Sequence, residues 1–216
     1  NYFTEYMNQK DGKNALALNS CFEELDNPID LFKKWFDEAK KSEPNDPNAV
    51  ALATSNINKQ PTVRMVLLKG LSNEGFVFYT NLNSKKGNDL KKNHLASMCF
   101  HWKSLRRQVR IVGEVKKVTN QEADDYYNSR SYGSRIAAWA SSQSETMPNR
   151  EIFLDKIKEF KNKYSDENKV PRPPYWSGWR LHPKEVEFWV DGENRAHERL
   201  NYVMKDGCWV KEILYP

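Results

Sequence analysis

The chain has 216 residues, 38% of them hydrophobic and 29% charged, and its 34 basic and 29 acidic side chains give a net charge of +5. That length can bury one sizeable core without disulfide or metal staples, and the longest apolar runs, such as residues 65–68 and 76–79, fall far short of the roughly 20 residues of a membrane span. A collagen, a repeat array and a membrane-spanning protein are excluded, and the small positive excess does not single out nucleic acid.

Residues 1–26 have no sustained periodicity and read as an N-terminal arm with Tyr2, Phe3 and Tyr6 as candidate anchors. Asn27-Pro28 starts a helix, with Asn as N-cap, and Ile29, Phe32, Phe36 and Ala39 mark its apolar face up to Ser42. Pro44 and Pro47 break the chain, after which Ala49–Thr54, Val63–Lys69, Phe76–Asn81, Ser97–Trp102 and Gln108–Val118 read as strands of an antiparallel barrel or sandwich. A short helix from Ser84 to about Asn93 interrupts them and presents Lys85, Lys86, Lys91 and Lys92 as a basic surface.

Helices follow near 120–129, 133–141 and 149–164, and in the last of these Phe153, Ile157, Phe160 and Tyr164 form a stripe expected to pack on the sheet. Lys169–Pro174 is an extended connector, and Glu185–Val190, about His197–Val203 and Cys208–Ile213 are closing strands. The expected fold class is mainly β with surrounding α-helices (α+β), organised as one domain over 27–216 behind the arm. Cys21, Cys99 and Cys208 are widely spaced without a C-x-x-C, so neither a disulfide framework nor a thiolate zinc site is indicated, and a reducing cytoplasm is the expected setting.

Strand alternation then orients side chains. Val186, Phe188 and Val190 face the core, leaving Glu187 and Trp189 on the other side, where Trp189 packs under a helix or subunit or meets a ligand. Read as a strand, residues 195–199 put Arg195, His197 and Arg199 on one face, which fits an anion or an electron-rich ring and equally fits solvated edge charges. Gln108 and Arg110 share the non-core side of their strand. Arg64 and Lys69 bracket an apolar run and, with Lys85 and Lys86, place cations where phosphate oxygens are well received. No G-x-G-x-x-G, Walker A, H-E-x-x-H or G-x-S-x-G occurs, and the four His residues are scattered. The inventory of cations, amides, hydroxyls and aromatic planes suits a cofactor that brings its own reactivity. A basic barrel that binds RNA through its aromatics has only composition in its favour.

Seven segments in chain order, Arg64–Lys69, Phe78–Asn81, Ser84–Lys86, Arg107–Arg110, Trp139–Ser144, Glu187–Trp189 and Arg195–Arg199, resemble the pyridoxine (pyridoxamine) 5'-phosphate oxidase family. The resemblance runs from about Asn27 to Pro216 and implies an FMN-binding split β-barrel that acts as a homodimer with flavin at the subunit interface. It implies FMN contacts from Arg64, Met65, Val66, Leu67, Leu68, Lys69, Tyr79, Thr80, Lys85, Lys86, Gln108, Gln143, Ser144, Trp189 and Arg199. Substrate contacts are implied for Lys69, Tyr126, Arg130, Ser134, Arg195 and His197, with Arg195 and His197 at the pyridine ring as the polar assistants of catalysis.

The implied reaction is hydride transfer from C4' of pyridoxine or pyridoxamine 5'-phosphate to flavin N5 and reoxidation by O2, giving pyridoxal 5'-phosphate, hydrogen peroxide and, from the amine, ammonia. The alternative is another flavoprotein of the same barrel, a flavin reductase or a non-catalytic flavin binder. No metal, nucleic acid or membrane partner is implied. The chain departs from the family pattern at Ala196 (commonly Leu), Glu198 (Asp), Val190-Asp191 (Gln-Gly) and Ser131 (Pro).

Overall fold

The structure, a computed structural model, describes residues 16–216; the candidate anchors Tyr2, Phe3 and Tyr6 lie outside them. In chain order the elements are α1 (Pro28–Ser42), β1 (Ala49–Ser55), β2 (Pro61–Leu67), β3 (Gly70–Ser72), β4 (Gly75–Asn81), α2 (Lys85–Lys92), β5 (Leu95–Trp102) and β6 (Arg107–Lys117). Then come α3 (Asn120–Ser129), α4 (Tyr132–Ala140), α5 (Arg150–Lys163), β7 (Trp176–Val190), β8 (Glu198–Lys205) and β9 (Cys208–Leu214). The strands form one antiparallel sheet in the order β2-β1-β5-β6-β7-β4-β3, with β8 on the far half of β7 and β9 on β8. This is the split β-barrel with surrounding helices that the resemblance implies.

Helix α1 plugs the barrel. Asn27 Oδ1 accepts from Ile29 N at 2.9 Å, and Ile29, Leu31, Phe32, Trp35 and Ala39 are buried. Phe32 meets Phe76 edge-on at 4.9 Å and Phe100 at 5.0 Å, while Trp35 meets Phe188 at 5.0 Å. Much of the aromatic content is therefore core, each buried ring contributing on the order of 2 kcal/mol. The last part of the arm joins this core too, since Leu18 and Phe22 are buried and Trp35 Nε1 donates to Cys21 O at 2.8 Å.

Four expectations are corrected. Strand β7 starts at Trp176, well before Glu185, because its first half is buried on both faces and lacks the alternation that marks a strand. Its N-terminal half pairs with β4 and its C-terminal half with β8, with β6 running along both. Helix α5 has no buried residue and packs on α4 rather than on the sheet, through Trp139 against Phe160 (5.6 Å) and Tyr164 (5.3 Å). Arg195 and His197 precede β8 in an irregular turn containing a 3-10 segment, Glu193–Arg195, in which Asn194 and Arg195 have positive φ. Lys86 is buried instead of contributing to the basic surface of α2.

Candidate active site

A cleft of about 460 Å³ opens where β2, β4, the start of β7, α2 and the α3–α5 helices meet. Its cations are Arg64, Lys69, Lys86 and Arg130, and no carboxylate is among its lining residues. Alternation in β2 puts half-buried Arg64 and Val66 on one face of the sheet and exposed Val63, Met65 and Leu67 on the other, with Arg64, Met65, Val66 and Leu67 all lining the cleft. Arg64 is then clamped: Nη1 donates to Leu52 O (3.1 Å) and Thr54 Oγ1 (2.7 Å), and Nη2 to Thr62 Oγ1 (2.6 Å). Thr54 in turn donates to buried Asp89 at 2.8 Å. Burial lowers the Arg64 pKa and Asp89 raises it, the first effect being the larger.

Lys86 is brought in by the cap of α2. Ser84 Oγ accepts from Gly87 N at 3.3 Å, and Gly87 lies so close to the preceding turn that a Cβ there would sit 2.4 Å from Leu82 O. Lys86 Nζ donates to Thr80 Oγ1 (3.1 Å), Ser84 Oγ (3.3 Å) and Gln143 Oε1 (2.9 Å), all neutral acceptors. Burial, reinforced by Arg64, pushes its pKa down to about 8. A buried ammonium without a carboxylate is expensive, and a bound anion would relieve it. The loop after α4 closes this corner: Ser144 Oγ accepts from Lys85 N at 3.1 Å, although the Lys85 side chain is exposed.

At the other end Tyr79, Tyr126 and Trp176 lie nearly parallel, with Tyr79–Tyr126 centroids 4.0 Å apart and Tyr79–Trp176 5.4 Å apart. The Arg130 guanidinium covers Trp176 at 4.9 Å, its Nη1 is buried without a hydrogen-bond partner, and burial lowers its pKa. Buried donors are almost always satisfied, and at the cleft an anionic ligand would supply the acceptor that this one lacks within the chain.

The structure thus brings together Arg64, Met65, Val66, Leu67, Lys69, Tyr79, Thr80, Lys86, Tyr126, Arg130 and Gln143. Leu68 is buried, and Ser134, held by Ser131 Oγ at 2.9 Å in the first turn of α4, does not line the cleft. Asn81, Ala137, Ala138, Ser141, Phe153 and Trp176 line it without having been named as site residues from the sequence, Phe153 having been expected to pack on the sheet. The Trp176 position was hidden by the unread half of β7.

Gln108, Trp189, Arg195, His197 and Arg199 form a separate group. Trp189 pairs in register with Gln108 on one side and Arg199 on the other, so the three share the outer face of the sheet. Buried Glu187 receives Arg199 in a two-point contact (3.1 and 3.0 Å) and Arg110 at 3.4 Å, and the first of these raises the Arg199 pKa. His197 sits 4.7 Å from the Trp189 ring, while Arg195 is exposed. Trp176 and Trp189 are near opposite ends of a 15-residue strand, which spans roughly 45 Å at about 3.3 Å per residue.

Comparison with known proteins gives concordant results. Residues 36–164 match the family profile described as pyridoxamine 5'-phosphate oxidase, and residues 176–216 match the pyridoxine 5'-phosphate oxidase C-terminal dimerisation region. A pyridoxine/pyridoxamine 5'-phosphate oxidase of Pelagibacter ubique is 61% identical over 211 residues, covering 97% of this chain and 100% of the relative. Another, from Novosphingobium aromaticivorans, is 51% identical over 190 residues, covering 88% and 93%. Among solved structures, PhzG from Burkholderia lata 383 in complex with tetrahydrophenazine-1-carboxylic acid superposes with a TM-score of 0.86 at 28% identity, covering 95% of this chain and 100% of that one. An FMN-binding protein related to pyridoxamine 5'-phosphate oxidase, from Nostoc punctiforme, shares the fold with a TM-score of 0.69 at 17% identity, covering 86% and 96%.

Proposed function

The chain belongs to the pyridoxamine 5'-phosphate oxidase family, and we propose that it oxidises pyridoxine 5'-phosphate or pyridoxamine 5'-phosphate to pyridoxal 5'-phosphate with FMN as cofactor. The observation that carries this reading is the carboxylate-free cleft with two separate cations, Lys86 hydrogen-bonded but without a counter-charge and Arg130 with a partnerless Nη1. Two phosphates, one on the cofactor and one on the substrate, answer them.

The residues present fit the cofactor. Arg64, Lys86, Thr80 and Gln143 would hold its phosphate end, and Met65–Leu67 would meet the ring. When bound, FMN supplies the redox chemistry, its N5 accepting the hydride from C4' and O2 restoring it with release of hydrogen peroxide. The chain's share is alignment and charge. Lys69, Tyr126 and Arg130, with Ser134 at the margin, would bind the substrate phosphate, Arg130 being already stiffened by Trp176. A flavin reductase or flavin carrier would leave that second cation site unused, which favours the oxidase.

Gln108, Trp189, Arg195, His197 and Arg199 do not line the cleft of their own chain, so a second copy would supply them, making the protein a homodimer. The matched dimerisation region contains Trp189, Arg195, His197 and Arg199, and the exposed Val63, Met65 and Leu67 of β2 offer an apolar stripe beside the cleft for a partner to cover. The free thiols Cys21, Cys99 and Cys208 accord with a reducing cytoplasm.

The test is direct. Purified protein should be yellow, sediment as a dimer, and release peroxide and pyridoxal 5'-phosphate in equal amounts under air with either vitamer. Protein that binds FMN but oxidises neither would support a flavin carrier instead, and failure to take up FMN would sink both readings.

A further inference from the structure

The route from Asp89 to Arg64 passes through two hydroxyls. In the antiparallel pairing of β1 with β2, Leu52 stands opposite Arg64 and Thr54 opposite Thr62, so the two threonines share a face with the arginine. Helix α2 packs on β1 and delivers Asp89, whose side chain is buried. Asp89 Oδ2 accepts from Thr54 Oγ1 at 2.8 Å and from Thr62 Oγ1 at 3.3 Å. The same two hydroxyl oxygens, 3.4 Å apart, accept from Nη1 and Nη2 of Arg64 at 2.7 and 2.6 Å.

Proton counting shows what this layer does. A hydroxyl has a single proton, and a guanidinium can only donate. With both threonine protons drawn to the carboxylate, both oxygens turn lone pairs toward Arg64. Of the five donors of the guanidinium, Nη1 then gives both of its own to Thr54 Oγ1 and Leu52 O, and Nη2 gives one to Thr62 Oγ1. Nε–H and the second Nη2–H remain, with no hydrogen-bond partner among the described residues. These two lie along one edge, the edge by which arginine grips a carboxylate or phosphate at two points. Arg199 uses that very edge on Glu187, Nε and Nη2 donating at 3.1 and 3.0 Å.

We propose that Thr54 and Thr62 are positioning residues for the cofactor phosphate: anchored on Asp89, they occupy the far donors of Arg64 and leave its Nε–Nη2 edge to take two oxygens of a phosphate monoester. The inference rests on the reading above that Arg64 holds the phosphate end of FMN. Had Asp89 paired with Arg64 directly, as Glu187 does with Arg199, that edge would be filled. The hydroxyls aim the guanidinium and keep the carboxylate one group away. Lys86, one helical turn before Asp89 in α2, is near enough to Arg64 for its pKa to be lowered by it, so both cations serve one anion.

The experiment reconstitutes flavin-stripped protein with FMN or with riboflavin, which lacks the phosphate, and reads both affinities from flavin fluorescence. Thr54→Val combined with Thr62→Val should weaken FMN about 20-fold and riboflavin less than about twofold, because the loss falls on the phosphate contact. Serine at both positions keeps the hydroxyls and should hold FMN affinity within about threefold of wild type. In an Arg64→Ala background the valine pair should cost less than about twofold, since the hydroxyls act through that side chain. An unchanged FMN affinity, a loss matched by riboflavin, or a loss undiminished without Arg64 overturns the proposal. Should the double variant fail to fold, Thr62→Val alone, at the half-buried position, decides, with about a fivefold loss expected. Arg64→Ala that kept wild-type FMN affinity would overturn both the proposal and the assignment of Arg64 to the cofactor. A phosphate-specific loss in a protein that oxidises neither vitamer would refute the proposed function and leave the threonine clamp standing.

Discussion

The two groups of functional side chains handle charge in opposite ways. In the cleft, Lys86 is surrounded by hydroxyls and an amide, and Arg130 by aromatic rings, with no carboxylate in the lining. At the outer face Arg199 and Arg110 share Glu187, and Arg106 and His197 share Asp191. The first arrangement stores unsatisfied positive charge for a ligand at the expense of stability; the second uses charge to fix shape. The same residue types therefore carry different meanings, which the counter-charge alone reveals.

Mutations can separate these two uses. The largest effect is expected at Arg130. Arg130→Ala should lower kcat/KM for a phosphorylated vitamer about 10³-fold, or ~4 kcal/mol, mostly through KM and with flavin content kept, since it removes a charge-assisted phosphate contact. Loss of flavin in proportion to activity would show that Arg130 serves the cofactor. Glu187→Gln should destabilise the fold by about 1 kcal/mol in urea unfolding, because two ion pairs are lost while Arg199 and Arg110 remain partly in solvent. Lys86→Met should do the reverse, raising apoprotein stability by about 1 kcal/mol while weakening FMN some 30-fold, ~2 kcal/mol. A destabilised Lys86→Met apoprotein would contradict the stored-charge reading.

The smallest effect is a pH dependence. Because the Lys86 pKa is depressed to about 8 from its ordinary 10.5, the unfolded chain binds more protons than the native apoprotein between those values. Apoprotein stability should accordingly gain from this group as pH rises through that window. A bound phosphate favours the ammonium, so FMN affinity should be flat below pH 8 and fall above it, by at most about tenfold per pH unit. Fluorescence titrations would measure the slope, and Lys86→Met should abolish it.

The legibility of the chain followed the range of the interactions. Helix α1 was readable because Asn27, Pro28 and the apolar spacing act within a turn or two, β1, β5 and β6 because alternation is a local property, and β4 because it is a short apolar run bounded by turn residues. The first half of β7 was not, since Gly178, Pro183 and two-sided burial erase the period. The cations at 195–199 have strand-like spacing, yet Gly192 and two positive φ angles make the first part a turn. Lys86 has the sequence of a solvated lysine in a capped first turn, and only the arrival of Gln143 and Thr80 from other segments buries it. By itself the sequence determined most of the elements, the sheet class and the family. The tertiary structure decided which cations are left without a counter-charge and which carboxylate reaches His197, because desolvation and pairing depend on groups far apart in the chain, about which local spacing says nothing.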